Sequence, residues 1–452
     1  MSANDTGFLG HPSGLRYIVF TEAWERFSFY GMQALLVLFM AGHLLMPGTV
    51  EHVAGFAGFR AAIEDVFGTL TRQALATQIF GLYVGLVYFM PVFGGLVGDR
   101  ILGQRRAVVL GAIAMAAGHF LMAFETAFLA ALALLVVGSG LLKGNLVAQV
   151  GHLYATDDPR RDRGFSVYCL AINVGAFVAP LVCGTLGELY GWHYGFAAAG
   201  IGMLIGLGIY LKGLPHLPAD VATRPEGAAR LQAGDGKRIA ALFVVFFIAT
   251  LYWTAQTQVW NTYPLWLKAR VARDVLGATV PVTWFQSIDS LAVLLLAPVV
   301  ILFWKRQAAR QREPGDLAKI AIGCAVFGLG CIELSLAETS SGTHSVPILW
   351  PAAFHFFGAV GYLYVFPVAL ALFSRAAPAA INAMMAGVCY MSLFAGGVTS
   401  GWLGRFYETM SPASFWLMHG LIAAAGALLV LVLHRPLLKA LGIEASPPSL
   451  SS

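Results

Sequence analysis

Charge is what this sequence has least of. Only 11% of its 452 residues are Asp, Glu, Lys or Arg, while 58% are hydrophobic. Soluble domains carry about 25% charged residues, so a water-soluble globule is excluded and the chain belongs in lipid. Cysteine is also sparse. Cys169, Cys183, Cys324, Cys331 and Cys389 all fall inside apolar stretches, without metal spacing or a disulfide ladder, and read as small packing residues. No Gly-rich phosphate loop is present. Gly236-Lys237-Arg238 lacks the preceding glycines, so ATP-driven transport has no support. The polar opening MSANDTG does not read as a cleavable signal peptide. No nucleophile, metal set or cofactor motif stands out, so no cofactor is expected and a membrane enzyme or sensor lacks its chemistry. The net charge of +5 is a matter of loops, treated next, and not a nucleic-acid footprint.

What is present is a series of long apolar runs. A membrane helix needs about 20 such residues, and twelve runs qualify: 17–42, 73–97, 107–125, 127–153, 165–187, 193–212, 239–264, 283–304, 317–336, 347–373, 379–405 and 412–434. Their many glycines suit helices that approach closely. The loops on one side, with both tails, hold 20 of the 28 Lys and Arg; six lie on the other side, and Arg26 and Lys143 lie within runs. This bias puts both termini in the cytoplasm of a multi-pass inner-membrane protein. A Pro/Gly/Ala-rich stretch, 213–237, divides the chain into six-helix halves, 1–212 and 238–452, with no extra helix pair. Segment 46–72 is an outside loop, with a short surface helix expected around Phe56 to Phe67. The fold class is therefore all-α integral membrane. Such a plan suits a transporter whose halves rock about a midplane site.

Ionised side chains in hydrocarbon cost roughly 2.5–3.5 kcal/mol each on lenient scales, yet Glu22, Glu25 and Arg26 sit in the first turns of the first run. At 1.5 Å per residue they lie about 8–14 Å deep, and Lys143 on the fourth run about 12 Å. Tyr88, Asn173, Tyr362 and Asp289 extend this band to roughly 22 Å. Residues 22, 25, 26, 29, 30 and 33 share one helix face, so Glu22, Glu25, Arg26, Tyr30 and Gln33 are expected to line one cavity. Two acids beside two bases can exchange partners when one acid is protonated, which a proton-coupled transporter requires. A purely structural salt-bridge cluster is the alternative. His119, His355 and His419 read as hydrogen-bonded packing residues, Glu333 as lying near a helix end, and Trp350, Trp402 and Trp416 as interfacial anchors.

Glu22-x-x-Glu25-Arg26-Phe27, followed by Tyr30-Gly31, resembles the helix 1 signature of the proton-dependent oligopeptide transporter family, within the major facilitator superfamily. GGLVGDRILGQRR resembles its helix 2–3 loop motif, GSGLLKGN its helix 4 motif and FSVYCLAINVGAFVAPL its helix 5 motif. The resemblance is dense over the first 190 residues and thin beyond. It implies the major facilitator fold and roles residue by residue. Glu22, Glu25, Arg26 and Lys143 would couple protons. Arg26 and Lys143 would also meet a peptide carboxylate, Tyr30, Tyr88 and Asn173 would bind the peptide backbone, and Asp99 and Arg100 would latch the inner gate.

The chain departs from the family pattern at several points. Tyr362 stands where helix 10 usually carries a Glu for the peptide amino group. Helix 7 lacks an acid and offers Trp253, Gln256, Gln258, Trp260 and Asn261. Asp289 on helix 8 stands where Asn is frequent, Gln33 where Arg is, and Gly144 where Pro is. The expected substrate site comprises Arg26, Tyr30, Gln33, Tyr88, Lys143, Asn173, Trp253, Gln256, Asp289 and Tyr362. Asp289 is assigned to a substrate's positive group, with a protonated structural Asp as the alternative. The expected activity is symport of protons with small peptides or peptide-like molecules by a monomer. A transporter of an amino-acid derivative or other small carboxylate, and a proton-linked drug exporter, stay open beside it. The exporter is disfavoured by Arg26 and Lys143, since its cavity needs no cation for a carboxylate.

Overall fold

Hydrocarbon leaves backbone amides only each other as partners, so apolar runs of this length must be helical. The computed structural model describes residues 7–155, 158–220, 231–232, 234–378 and 381–442. The helices are α1 (Ser13–Phe39), α2 (Phe56–Phe67), α3 (Arg72–Val97), α4 (Gln104–Leu121), α5 (Phe128–His152), α6 (Arg161–Ala179), α7 (Trp192–Gly213), α8 (Asp235–Gln256), α9 (Thr262–Arg270), α10 (Trp284–Ala309), α11 (Asp316–Ser341), α12 (Leu349–Ala376), α13 (Asn382–Leu403) and α14 (Pro412–Leu441). With α8 and α9 joined as one span, these give twelve crossings and the short surface helix α2. Eleven are long and apolar enough to cross a membrane. The remaining one, α4, opens on a polar turn, Gln104-Arg105-Arg106, and packs between α5 and α7.

The spans form two six-helix halves. In the first, α1 packs on α6 and α7, α3 on α5, and α4 on α5 and α7. In the second, α11 packs on α12 and α14, α13 and α14 on α8, and α10 on α12. Across the divide, α3 meets α13 and α6 meets α10. Glycine makes the α3–α13 contact close: a Cβ on Gly81 would stand 2.4 Å from the Gly397 oxygen and 2.8 Å from the Gly401 Cα.

The span expected at 239–264 is broken. α8 ends at Gln256, a 3-10 turn covers Thr257–Val259, and α9 begins only at Thr262. Asn261, at φ −105° and ψ −88°, is out of helical geometry, and its amide donates to Thr77 O on α3 at 3.2 Å. The fifth span likewise leaves α-geometry at Pro180, continuing as π-turns to Tyr190. Among the described residues, a small hairpin, Asp274–Val275 against Ala278–Thr279, is the one strand pair, and the all-α expectation did not include it.

Residues 221–230 and 233 of the expected linker 213–237 lie outside the described residues. Its first part is fastened to the first half. Arg105 Nε donates to Pro218 O at 2.8 Å, and Asp220 Oδ1 accepts from Arg105 N at 3.0 Å. Gly103, at φ +79°, makes the left-handed turn into α4 that GQRR requires. Trp416 is 1% exposed and belongs to an aromatic core with Tyr263, Trp266 and Phe354. It is not an interfacial anchor, because α14 turns that face inward. Glu333 lies about two turns inside the end of α11, at Ser341. Cys169 is exposed, unlike the other four cysteines.

Candidate functional site

A cavity of ≈ 870 Å³ lies between the halves. On the side of the basic loops it reaches Asp99, just past the end of α3. On the opposite side the halves are fastened together. Glu188 accepts from Val282 N, Thr283 N and Thr283 Oγ1 at 2.9, 2.8 and 2.7 Å. Trp284 Nε1 donates to Thr185 Oγ1 at 2.7 Å, and Arg405 Nη1 to Phe67 O at 2.8 Å. The conformation is open toward the basic side and shut on the other.

The first-half wall is built from ions. α1 presents Glu22, Arg26, Tyr30 and Gln33 to the cavity. Arg26 Nε contacts Glu22 Oε1 at 3.1 Å, and the guanidinium also pairs with Glu25. Glu25 is fully buried behind Arg26 and is not part of the wall, contrary to the expected shared lining. Residue 25 turns off that face, within electrostatic reach of Tyr83 on α3. Tyr168 on α6 lines the cavity within electrostatic reach of Glu22. Lys143 on α5 does not reach the acids as an ion pair. Its Nζ rests 4.1 Å from the Phe29 ring centre and 5.1 Å from that of Tyr88, without a hydrogen-bond partner. This group, buried at the cavity wall against two aromatic faces, has no anion beside it. Asn173 lines the wall with its amide tied to Cys169 O at 3.0 Å.

The second-half wall is aromatic and amide-bearing. Trp253 and Gln256 from α8, Trp260 beyond the break, and Tyr362 and Phe366 from α12 line it. Trp253 meets Tyr362 edge-on at 6.4 Å and Phe366 at 5.6 Å, and Trp260 faces Tyr30 at 5.2 Å across the divide. Gln258 and Asn261 point into the bundle instead. Gln258 donates to Ser400 O at 3.0 Å and accepts from Thr262 Oγ1 at 2.7 Å. Asp289 on α10 lines the cavity, with Oδ1 3.4 Å from His355 Nδ1.

All ten expected substrate residues therefore border one cavity. Of the expected gate pair, Asp99 stands at its mouth, accepting from Gln104 Nε2 at 3.0 Å, and Arg100 is exposed to the side. Much of the loop motif serves packing: a Cβ on Gly94 would fall 2.0 Å from Gly140 O, and Asn145 Nδ2 donates to Gly94 O at 2.9 Å. Sequence reasoning missed Tyr168, Phe29 and Ser290. Phe29 was on the marked face of α1 and could have been found from helix spacing; Tyr168, five residues before Asn173 on α6, is off Asn173's i±3 and i±4 neighbours and could not. His355 was set aside as packing because its partner lies on another helix.

A two-halved helical bundle around a midplane cavity with ionised walls is the build of a secondary transporter. The model of the POT family matches residues 105–221 and 221–417, well over half of the sequence. The chain belongs to the POT family. It is 29% identical to the peptide transporter YePEPT of Yersinia enterocolitica, covering 94% of each. It is 25% identical to a di-/tripeptide transporter of Lactococcus lactis subsp. cremoris, covering 98% of this chain and 99% of that one. Among solved structures, the peptide transporter POT in complex with sulfate matches with TM-score 0.84 at 29% identity, over 96% of each chain. A mutant of a peptide transporter POT in complex with alafosfalin matches with TM-score 0.83 at 29% identity, again over 96% of each.

Proposed function

We propose that the protein imports small peptides, or peptide-like molecules with a free carboxylate, together with protons by alternating access. It acts as a monomer in the bacterial inner membrane, with both termini cytoplasmic and with halves 1–212 and 238–452 joined by 213–237. The observation that carries this reading is Lys143: a buried ammonium without a hydrogen-bond partner, on the cavity wall beside the Glu22–Arg26 pair. A buried cation demands an anion, and a substrate carboxylate supplies one that leaves with the substrate. The paired acids of α1 then take Arg26 back, or take a proton, as the substrate comes and goes. Tyr30, Tyr88 and Asn173 bind the peptide backbone, and Asp289 faces its amino end. Asp99 and Arg100 latch the basic side when the cavity opens to the other. A cavity of ≈ 870 Å³ suits a di- or tripeptide. The relatives' peptide specificity supports the same reading.

The aromatic second wall, with Tyr362 in place of an acid, favours a second reading in which the cargo is an amino-acid derivative or other small carboxylate. Counterflow in proteoliposomes decides between them. Di- and trialanine should exchange, and amidating their C-terminus should weaken competition at least about tenfold, the loss of one charge-assisted bond. Equal competition by acid and amide would remove Lys143 and Arg26 as the carboxylate site and point to a drug exporter. Exchange of single amino-acid derivatives without exchange of peptides would select the second reading.

A further inference from the structure

The first half holds the family-like acids of α1. The second half holds a separate buried set that they do not account for. Asp289 on α10 borders the cavity with a side chain 16% exposed. Behind it, on α12, His355 is fully buried, its Nδ1 3.4 Å from Asp289 Oδ1. On the far side His355 Nε2 lies 3.0 Å from the Tyr263 hydroxyl of α9, and that hydroxyl lies 2.9 Å from Pro351 O. No ion pair among the described residues brings Lys or Arg to either group; His355 is the ionic partner of Asp289. The surrounding titratable groups are Tyr30 on α1, Tyr252 on α8, Tyr362 on α12, and Glu333 and Cys331 on α11. On α6 and α13, Cys169 and Tyr390 lie near Tyr362.

Hydrogen-bond accounting shows what this chain of groups can do. Suppose Tyr263 donates to Pro351 O. Its oxygen then accepts from His355 Nε2–H, and Nδ1 faces the carboxylate. Two bare acceptors cannot face each other in a buried site, so one further proton sits between Nδ1 and Oδ1. Suppose instead that Tyr263 turns its hydroxyl to Nε2. The imidazole then carries its single proton on Nδ1 and donates it to the ionised Asp289. The two arrangements differ by one proton, released to the water of the cavity. They interconvert by rotation of the Tyr263 hydroxyl together with a change of imidazole tautomer, Nε2–H in the proton-rich form and Nδ1–H in the proton-poor one, without repacking. The 3.4 Å contact is at the long end for a hydrogen bond, and a turn of the carboxylate closes it.

We propose that Asp289, His355 and Tyr263 form a proton-binding site in the second half, and that a substrate ammonium group displaces its proton. The second clause rests on the peptide reading above. An ammonium at the cavity edge of Asp289 supplies the positive charge that the imidazolium otherwise provides. Two cations on one carboxylate leave a buried excess charge, so the ammonium and the extra proton compete.

The first test needs no substrate. Acid–base titration of the purified protein in detergent should show one bound proton per chain that is missing from Asp289→Asn. An unaltered titration curve in a folded variant overturns the site. Should Asp289→Asn fail to fold, Tyr263→Phe decides. It keeps both titrating groups but removes the Nε2 partner of both forms, and the bond to the charged form is the stronger. The step should move downward, and an unmoved step overturns the site. The second test is proton release in weak buffer on adding dialanine or propionyl-alanine, which lacks the amino group. Dialanine should release up to one proton from the parent and none from Asp289→Asn, and propionyl-alanine none from either. Dialanine binding without release overturns the displacement. Failure of dialanine to bind the parent strikes the peptide reading, while the titration still decides the proton site.

Discussion

The two walls of the cavity are made of different materials. The first-half wall is held by charge: Glu22, Arg26, Glu25 behind it, and Lys143 against two rings. The second-half wall is held by stacked aromatics, with Trp253, Tyr362 and Phe366 in contact and Asp289 as its acid. Ionic contacts at one depth can be exchanged, partner for partner, without moving a helix. Aromatic contacts choose by shape. The proposed function gives energy coupling to the first wall and cargo selection chiefly to the second.

The largest expected effect comes from Arg26→Ala. It leaves Glu22 and Glu25 buried without their shared cation, a loss of about 3–5 kcal/mol for a broken buried pair, and should lower the melting temperature in detergent sharply. Gln256→Ala on the opposite wall should change it by no more than about 0.5 kcal/mol. Equal losses would erase the contrast. Next is Glu22→Gln, which keeps shape and removes the proton. Uptake into proteoliposomes driven by an inside-negative potential should be abolished, while counterflow continues, because exchange needs no net proton movement. Full gradient-driven uptake would deny the first wall its coupling role. The smallest effects belong to the second wall. Trp253→Ala should weaken bulky-side-chain peptides by about tenfold more than dialanine, and Tyr362→Phe, losing one neutral hydroxyl, by only about two- to tenfold. A uniform effect on all peptides would make that wall a scaffold rather than a selector.

The first wall was legible in advance because its residues lie on one helix. Spacing of three and four puts Glu22, Arg26, Tyr30 and Gln33 on a common face, and burial of charge marks that face as functional. What spacing could not supply was depth around the helix, so Glu25 was grouped with residues that it in fact lies behind. Lys143 and its rings belong to three helices, and no single-helix pattern shows a cation over Phe29 and Tyr88. The fold was read from hydropathy alone, down to the surface helix Phe56–Phe67. The break at Asn261 was not, since TQVWN is apolar enough to continue a helix and is stopped by a hydrogen bond to α3. The Asp289–His355 contact was equally hidden: which faces of α10 and α12 meet is a property of packing, not of either segment.

The seam between α3 and α13 carries a further consequence. At Gly81, Gly397 and Gly401 the two backbones touch with no side chains between them. Interlocked side chains make ridges that must climb out of grooves before two helices can turn past one another. A glycine seam has no such teeth. Close contact is kept, yet rotation about it meets little resistance, so the seam can serve as the bearing on which the halves swing. A single added methyl at Gly81 would put a tooth on that bearing.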